Sequence, residues 1–263
     1  MKQPKVFIAI PTGPSKEYAV HYMVAALKNL DWKNKEIHWS VSHLQDKVSD
    51  KFVKRLATLM ETVDWNCKWQ IHQTYLTRKE DLKSYVPVVK NKQLLRQKFF
   101  DSDCSYFLML GGDCVPSRDT IKRLMKCKAD VASGLMYQRP KKEGMVYPLV
   151  WLYLWTMKDL ERFHLEPVLL KEFEKFWLFS TVTLPLYVVP NWEKRKYIRN
   201  FTGGDGCCLI RREVLERVGW YLNDKALHSE DLHFFNNVNL RGFTTVLDVQ
   251  AHIAHFDEEG KGF

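Results

Sequence analysis

The sequence has no run of 18 or more apolar residues. The nearest approach, residues 173–189, is broken by Glu174, Lys175 and Pro185, so no membrane-spanning helix is expected. It has no CxxC pair among Cys67, Cys104, Cys114, Cys127, Cys207 and Cys208, and no Cys/His cluster with zinc-finger spacing. The opening residues carry no secretory signal, which predicts reduced thiols in a soluble, cytoplasmic protein. Neither a P-loop nor a GxGxxG turn is present, and there is no internal repeat. Acidic residues are in the minority, 31 against 40 Lys and Arg, and the formal charge of +9 suits an anionic partner. The basic residues are dispersed and match no helix-turn-helix, RNA-recognition or finger pattern, so nucleic acid is not expected. With 46% hydrophobic and 27% charged residues, wholesale disorder is excluded.

What the sequence does have is alternation. Residues 6–10 form an apolar run that ends at Pro11, Thr12, Gly13 and Pro14, and Ser15 stands where it can cap a helix carrying Tyr18, Tyr22, Ala25 and Ala26 at helical spacing. Further strands are expected at 37–41, 69–71, 106–110 and 130–133. Helices are expected around Phe52 to Met60, Leu94 to Phe99 and after Pro116. This β-α-β-α order predicts an α/β fold with a mostly parallel central sheet flanked by helices. Residues 137–200 lose the periodicity and are rich in aromatics and scattered prolines, an insertion packed on the sheet. Short strands and helices resume at 201, with a strand at 207–210, helices at 213–218 and 231–240, and a strand at 244–247. No boundary is sharp enough to divide the chain, so one domain over 1–263 is expected. It would comprise a first half (1–136), the insertion (137–200) and a final part (201–263).

Four places can carry chemistry. An apolar strand ends at Gly111, Gly112 and Asp113, and the C-terminal edge of such a sheet is where ligands bind. A hard carboxylate there suits Mg²⁺ or Mn²⁺ with a diphosphate, or simply caps its own turn. Gly203, Gly204, Asp205 and Gly206 form a turn that lets a sugar or phosphate approach main chain. Glu230 and Asp231 follow Ser229, an N-cap candidate; a helix N-terminus favours both acids whether or not either accepts a proton. His252 and His255 lie near the end, a pair more often structural than ligating.

In this order and spacing the pieces resemble GT-A fold (Rossmann-like) glycosyltransferases, most closely the family 2-like nucleotide-sugar enzymes. The resemblance runs from Pro11 and Thr12, through the strand ending at Asp113 and the segment 130–137, to the 203–212 turn, Glu230-Asp231, Gly242 and His255. It implies Asp113 as the second, metal-ligating aspartate of a DxD motif, with Gly111 standing where the first would be. It further implies His255 as a second metal ligand, Mn²⁺ or Mg²⁺ as cofactor, and Asp231, paired with Glu230, as general base. Pro11, Thr12, Lys92, Arg96, Gly111, Gly112, Asp113, Gly203, Gly204 and Asp205 would form the donor site. Trp151, Trp155, Trp177 and Trp192 would shape an acceptor site or close the core. The implied function is metal-dependent, inverting transfer of a sugar from a nucleoside-diphosphate sugar to an acceptor hydroxyl on a glycan, lipid-linked or protein partner. Basic charge beside aromatics suits a peripheral contact with an anionic membrane surface. The competing readings are a catalytically degenerate nucleotide-sugar-binding relative and a nucleotidyltransferase on a similar sheet. The latter typically needs more than one metal-binding carboxylate.

Overall fold

A computed structural model describes residues 3–81, 85–138, 147–148, 150–154, 182–185, 191–199, 201–221 and 230–256. In chain order its strands are β1 (Val6–Thr12), β2 (Lys35–His43), β3 (Lys68–Tyr75), β4 (Tyr106–Leu110), β5 (Cys114–Val115), β6 (Val131–Gln138) and β7 (Tyr147–Pro148). They continue with β8 (Val150–Leu154), β9 (Val182–Pro185), β10 (Tyr197–Arg199), β11 (Phe201–Gly203), β12 (Cys207–Arg211) and β13 (Thr245–His255). The helices are α1 (Glu17–Asn29), α2 (Lys47–Glu61), α3 (Arg78–Asp81), α4 (Tyr85–Phe100), α5 (Thr120–Lys126), α6 (Arg212–Arg217) and α7 (Glu230–Leu240).

The main sheet runs β10-β13-β6-β12-β4-β1-β2-β3, with β5 on β13 and β7 on β6. The contacts β4-β1, β1-β2, β2-β3 and β6-β13 are parallel, and β12 is inserted antiparallel between β4 and β6. The expected α/β class with mostly parallel strands therefore holds along the main path, and β12, the edge strand β10 and the short β5 and β7 are its antiparallel members. A separate antiparallel ribbon orders β11-β8-β9.

Period-two alternation divides the core into two layers. Val6, Ile8 and Ile10 of β1, with Leu108 and Leu110 of β4, face a layer closed by Met23 and Leu27 of α1, Phe52 and Leu56 of α2, and Ile121 of α5. Phe7, Ala9, Phe107 and Met109 face the other, closed by Val89, Leu95 and Phe99 of α4 with Phe234 and Phe235 of α7. Because β1 and β4 are covered on both faces, they read as unbroken apolar runs.

Three local expectations are corrected. Ser15 does not cap α1: a 3₁₀ turn at Pro14–Lys16 precedes it, and neither element has a side-chain cap. The last strand does not stop at 247 but runs to His255 through an irregularity, where Asp248 opposes Gly134 and His252 opposes Leu135 on β6. Trp192 is buried in the second core layer, so it closes the core. Trp155, Trp177, Ser229 and the tail 257–263 lie outside the described residues, and β8 is described at the level of Trp151's backbone.

Candidate functional site

A cleft of about 870 Å³ opens at the C-terminal ends of β1 and β4. Pro11, Thr12, Gly111, Gly112, Asp113, Gly204, Asp205, Lys92, Glu230, Asp231 and His255 all line it, which brings most of the residues expected from sequence to one place.

Asp113 follows β4 and is nearly buried, at 6% exposure. The short strand β5 then pairs with β13 so that His255 sits directly opposite Cys114. Phe256 N–H donates to the Asp113 carbonyl at 2.9 Å. This register brings His255 Nε2 to 3.4 Å from Asp113 Oδ2. His255 Nδ1 lies 3.1 Å from the Tyr137 carbonyl. A backbone acceptor there fixes the proton on Nδ1 and leaves Nε2 to face the carboxylate, as second-shell partners of ligating histidines do. Lys16 forms an ion pair with the same carboxylate oxygen, and the Tyr18 hydroxyl lies 3.4 Å from it. Burial pushes the Asp113 carboxyl upward, but the hydrogen bond and charge of His255 and the charge of Lys16 outweigh it and hold the group well below the usual carboxylate range. For His255, burial works against protonation and Asp113 overcomes it, so its pKa is raised. His252, three residues earlier on the same strand, is exposed and stacks on Tyr137. The two histidines thus cannot serve one metal, since odd spacing along a strand sends side chains to opposite faces.

Asp113, His255 and Cys114 bring one ligand atom each within 4.8 Å of one another. Burial, followed by the charge of Asp113, pushes the Cys114 thiol far up, and its soft sulfur suits Mg²⁺ or Mn²⁺ poorly. The carboxylate and the oriented imidazole are thus the two groups here whose chemistry fits a divalent cation. The missing aspartate at 111 also has a packing reason. A Cβ there would lie 2.9 Å from Cys114 Sγ, and one on Gly112 would lie 2.7 Å from Thr12 Oγ1. The cysteine sulfur occupies the room that a side chain at 111 would need.

On the opposite wall, Lys92 is fully enclosed. Its ammonium donates to both carboxylate oxygens of Asp205, at 2.8 and 2.7 Å, and to Glu230 Oε1 at 3.1 Å. Trp220 Nε1–H completes Asp205 at 2.7 Å. Burial lowers the Lys92 pKa, but Asp205, Glu230 and Asp231 together overcome this and raise it, so the ammonium is permanent. Lys92 thus ties α4 to the glycine turn and to the first turn of α7, and Asp205 is held from both sides. Asp231 stands beside Glu230 at the cleft, in the first turn of α7, where the helix dipole favours its charge. Arg96 does not reach the cleft: its Nε donates to the Leu215 carbonyl at 2.8 Å, one of the acceptors left open at the end of α6. Gly203 is paired with Val150 on the ribbon instead of lining the cleft.

Sequence reasoning missed three residues here. Lys16 was not singled out, nor was Trp220. Asn91 was also missed: buried beside Lys92, it accepts from Ser40 and donates to the Thr12 carbonyl and to Ser42 Oγ. A polar residue on the apolar face of α4 is the signal that would have found it. Thr12 Oγ1 at the cleft wall is buried with no hydrogen-bond partner among the described residues.

No family model and no curated protein matches the chain. Solved structures do. A mannosyltransferase, PcManGT from Pyrobaculum calidifontis in complex with GDP-Man and Mn²⁺, is 12% identical with a TM-score of 0.55; the match covers 96% of this chain and 57% of that one. S. aureus TarS (1-349) is 10% identical with a TM-score of 0.52, covering 95% of this chain and 59% of TarS. The same protein in complex with UDP-GlcNAc gives a TM-score of 0.51 at 10% identity, covering 95% and 57%. The chain spans under three fifths of the length of the structures it matches. At this identity the likeness speaks for architecture, and the architecture is the GT-A fold.

Proposed function

We propose that the chain is a glycosyltransferase that moves a sugar from a nucleoside-diphosphate sugar to an acceptor hydroxyl with inversion. The observation that carries this reading is that one cleft is lined by Asp113 and His255, by the Glu230-Asp231 pair and by the glycine turn at Gly204 to Gly206. The orphaned Thr12 hydroxyl supports a ligand on the β1 side, because buried polar groups are almost always satisfied. The structures bound to GDP-Man with Mn²⁺ and to UDP-GlcNAc share the fold and support the donor class.

In this reading Asp231 takes the proton of the acceptor hydroxyl as that oxygen forms its bond to the anomeric carbon. The bond from that carbon to the diphosphate oxygen breaks on the opposite face, and the nucleoside diphosphate leaves. Glu230 is fixed by Lys92 and positions the first turn of α7. A divalent cation held by Asp113 and His255 would neutralise charge on the leaving diphosphate. Among the described residues the candidate metal site carries one carboxylate, which favours sugar transfer over nucleotidyl transfer.

The test is a thermal-shift screen of nucleoside diphosphates and nucleotide sugars, each with and without Mn²⁺. A ligand of the folded state raises the midpoint by mass action. Metal-dependent stabilisation by one nucleotide, followed by turnover of its sugar conjugate to the inverted anomer by NMR, is the expected result. No shift with any of them, or a product of retained configuration, defeats the proposal as stated.

A further inference from the structure

Lys16 has no role in the chemistry above, yet it is paired with the carboxylate on which that chemistry turns. Its side chain is 39% exposed at the mouth of the cleft, while the Asp113 side chain beneath it is 9% exposed. The carboxylate is fixed by β4, by the Phe256 N–H on its own carbonyl and by His255, so of the two partners it is the lysine that can move. Lys16 ends the 3₁₀ turn Pro14–Lys16, on the β1-to-α1 connection that begins directly after Thr12. Its ammonium also lies 5.9 Å from the centre of the Tyr18 ring.

An ammonium and a divalent cation cannot share one carboxylate without repulsion. A diphosphate can accept both. We propose that Lys16 is a tethered placeholder for the divalent cation. It occupies Asp113 until a diphosphate arrives, then turns to the diphosphate and leaves the carboxylate to the metal. Metal and diphosphate thereby become mutually dependent ligands, and such coupling is reciprocal. Lys16 weakens metal binding to the free protein and strengthens diphosphate binding in the absence of metal. The inference rests on the reading of Asp113 and His255 as metal ligands, and it adds a residue that this reading does not need.

The two effects have opposite signs, which no general loss of structure imitates. MnCl₂ alone, and inorganic pyrophosphate alone in chelator, are titrated calorimetrically into the full chain and into its Lys16→Met and Lys16→Arg variants. The Met variant is expected to bind Mn²⁺ about fivefold to thirtyfold more tightly than the unaltered chain, and pyrophosphate more weakly by a similar factor. The Arg variant, which keeps the charge, is expected to follow the unaltered chain in both. Equal Mn²⁺ affinities in the unaltered and Met proteins overturn the placeholder role while leaving the metal site standing. Loss of both ligands in the Met variant overturns it in favour of a structural role. Absence of Mn²⁺ binding in every protein removes the metal reading and the placeholder with it.

Discussion

At the scale of single residues, the proposed reading separates groups that would react from groups that hold. Asp231 lines the cleft next to Glu230, whose carboxylate is engaged by Lys92. Asp231→Asn keeps the shape and, on the proposed reading, removes the proton acceptor. It should lower turnover by about 10²- to 10⁴-fold, while the affinity for the nucleotide-sugar donor stays within error. Initial rates alongside a binding titration check this, and retained turnover would exclude Asp231 as base. Gly111 poses the opposite problem, since restoring an aspartate to the DxD pattern should harm the protein. Its Cβ would sit 2.9 Å from the buried sulfur of Cys114 and 3.5 Å from the Gly206 backbone. Overpacking of this kind costs about 1–3 kcal/mol, so Gly111→Ala should lower the melting midpoint by several degrees. The same change in a Cys114→Ala background should cost less, because the two sites share one space. Additive losses in the double variant would show that the sulfur is not the obstacle.

At the scale of elements, α4 is the helix that joins the two walls of the cleft. Lys92 is 2% exposed and bonds one carboxylate from the glycine turn and one from α7. Lys92→Met leaves two acids facing each other with no cation, and breaking a buried pair in this way costs about 3–5 kcal/mol. Urea denaturation should show that loss. A cost below about 1 kcal/mol would mean that solvent reaches the pair. Most elements were legible in the sequence because β1, β4 and β12 are apolar runs bounded by turn residues, and α2 carries a regular apolar stripe. The length of β13 was not legible. Asp248, Gln250 and His252 break its apolar pattern, because Asp248 turns its carboxylate inward to accept from the Gln250 N–H and from Arg123. The site was legible in its cleft-lining acids and glycines, which stand at element ends with turn chemistry around them. Lys16 and Trp220 were not, since each meets its carboxylate through tertiary packing, Lys16 from a distance of 97 residues. Helical spacing put Lys92 and Arg96 on neighbouring turns of one face, but a spacing cannot say that one meets carboxylates and the other a helix-end carbonyl.

At the scale of the whole molecule, the sheet has a sensitive margin away from the cleft. Next to the edge strand β3, His38 of β2 is buried against Phe7, with ring centroids 4.0 Å apart. Its Nδ1 lies 3.1 Å from His72 Nε2 on β3, and its Nε2 lies 3.4 Å from Glu36. Burial is the largest influence on His38; Glu36 opposes it and His72 reinforces it, and the result is a pKa lowered from 6.5 to about 4. The His72 pKa is lowered in the same direction by burial and by Lys98. A histidine depressed in the folded state binds its proton first in the unfolded chain, so stability rises with pH between the two values. The contribution is complete above pH 6.5 and is lost as pH falls from there towards 4, with a ceiling of about 3 kcal/mol for His38. His255, raised instead, works with the opposite sign: its contribution is present at low pH and is lost as pH rises above 6.5. Unfolding free energies in urea should therefore fall steadily from pH 6.5 to about 5.5, before carboxylates with ordinary values near 4 begin to protonate. The slope should be much shallower in His38→Gln, whatever that variant's stability at pH 7. An unchanged slope would place the acid sensitivity outside the β2-β3 margin.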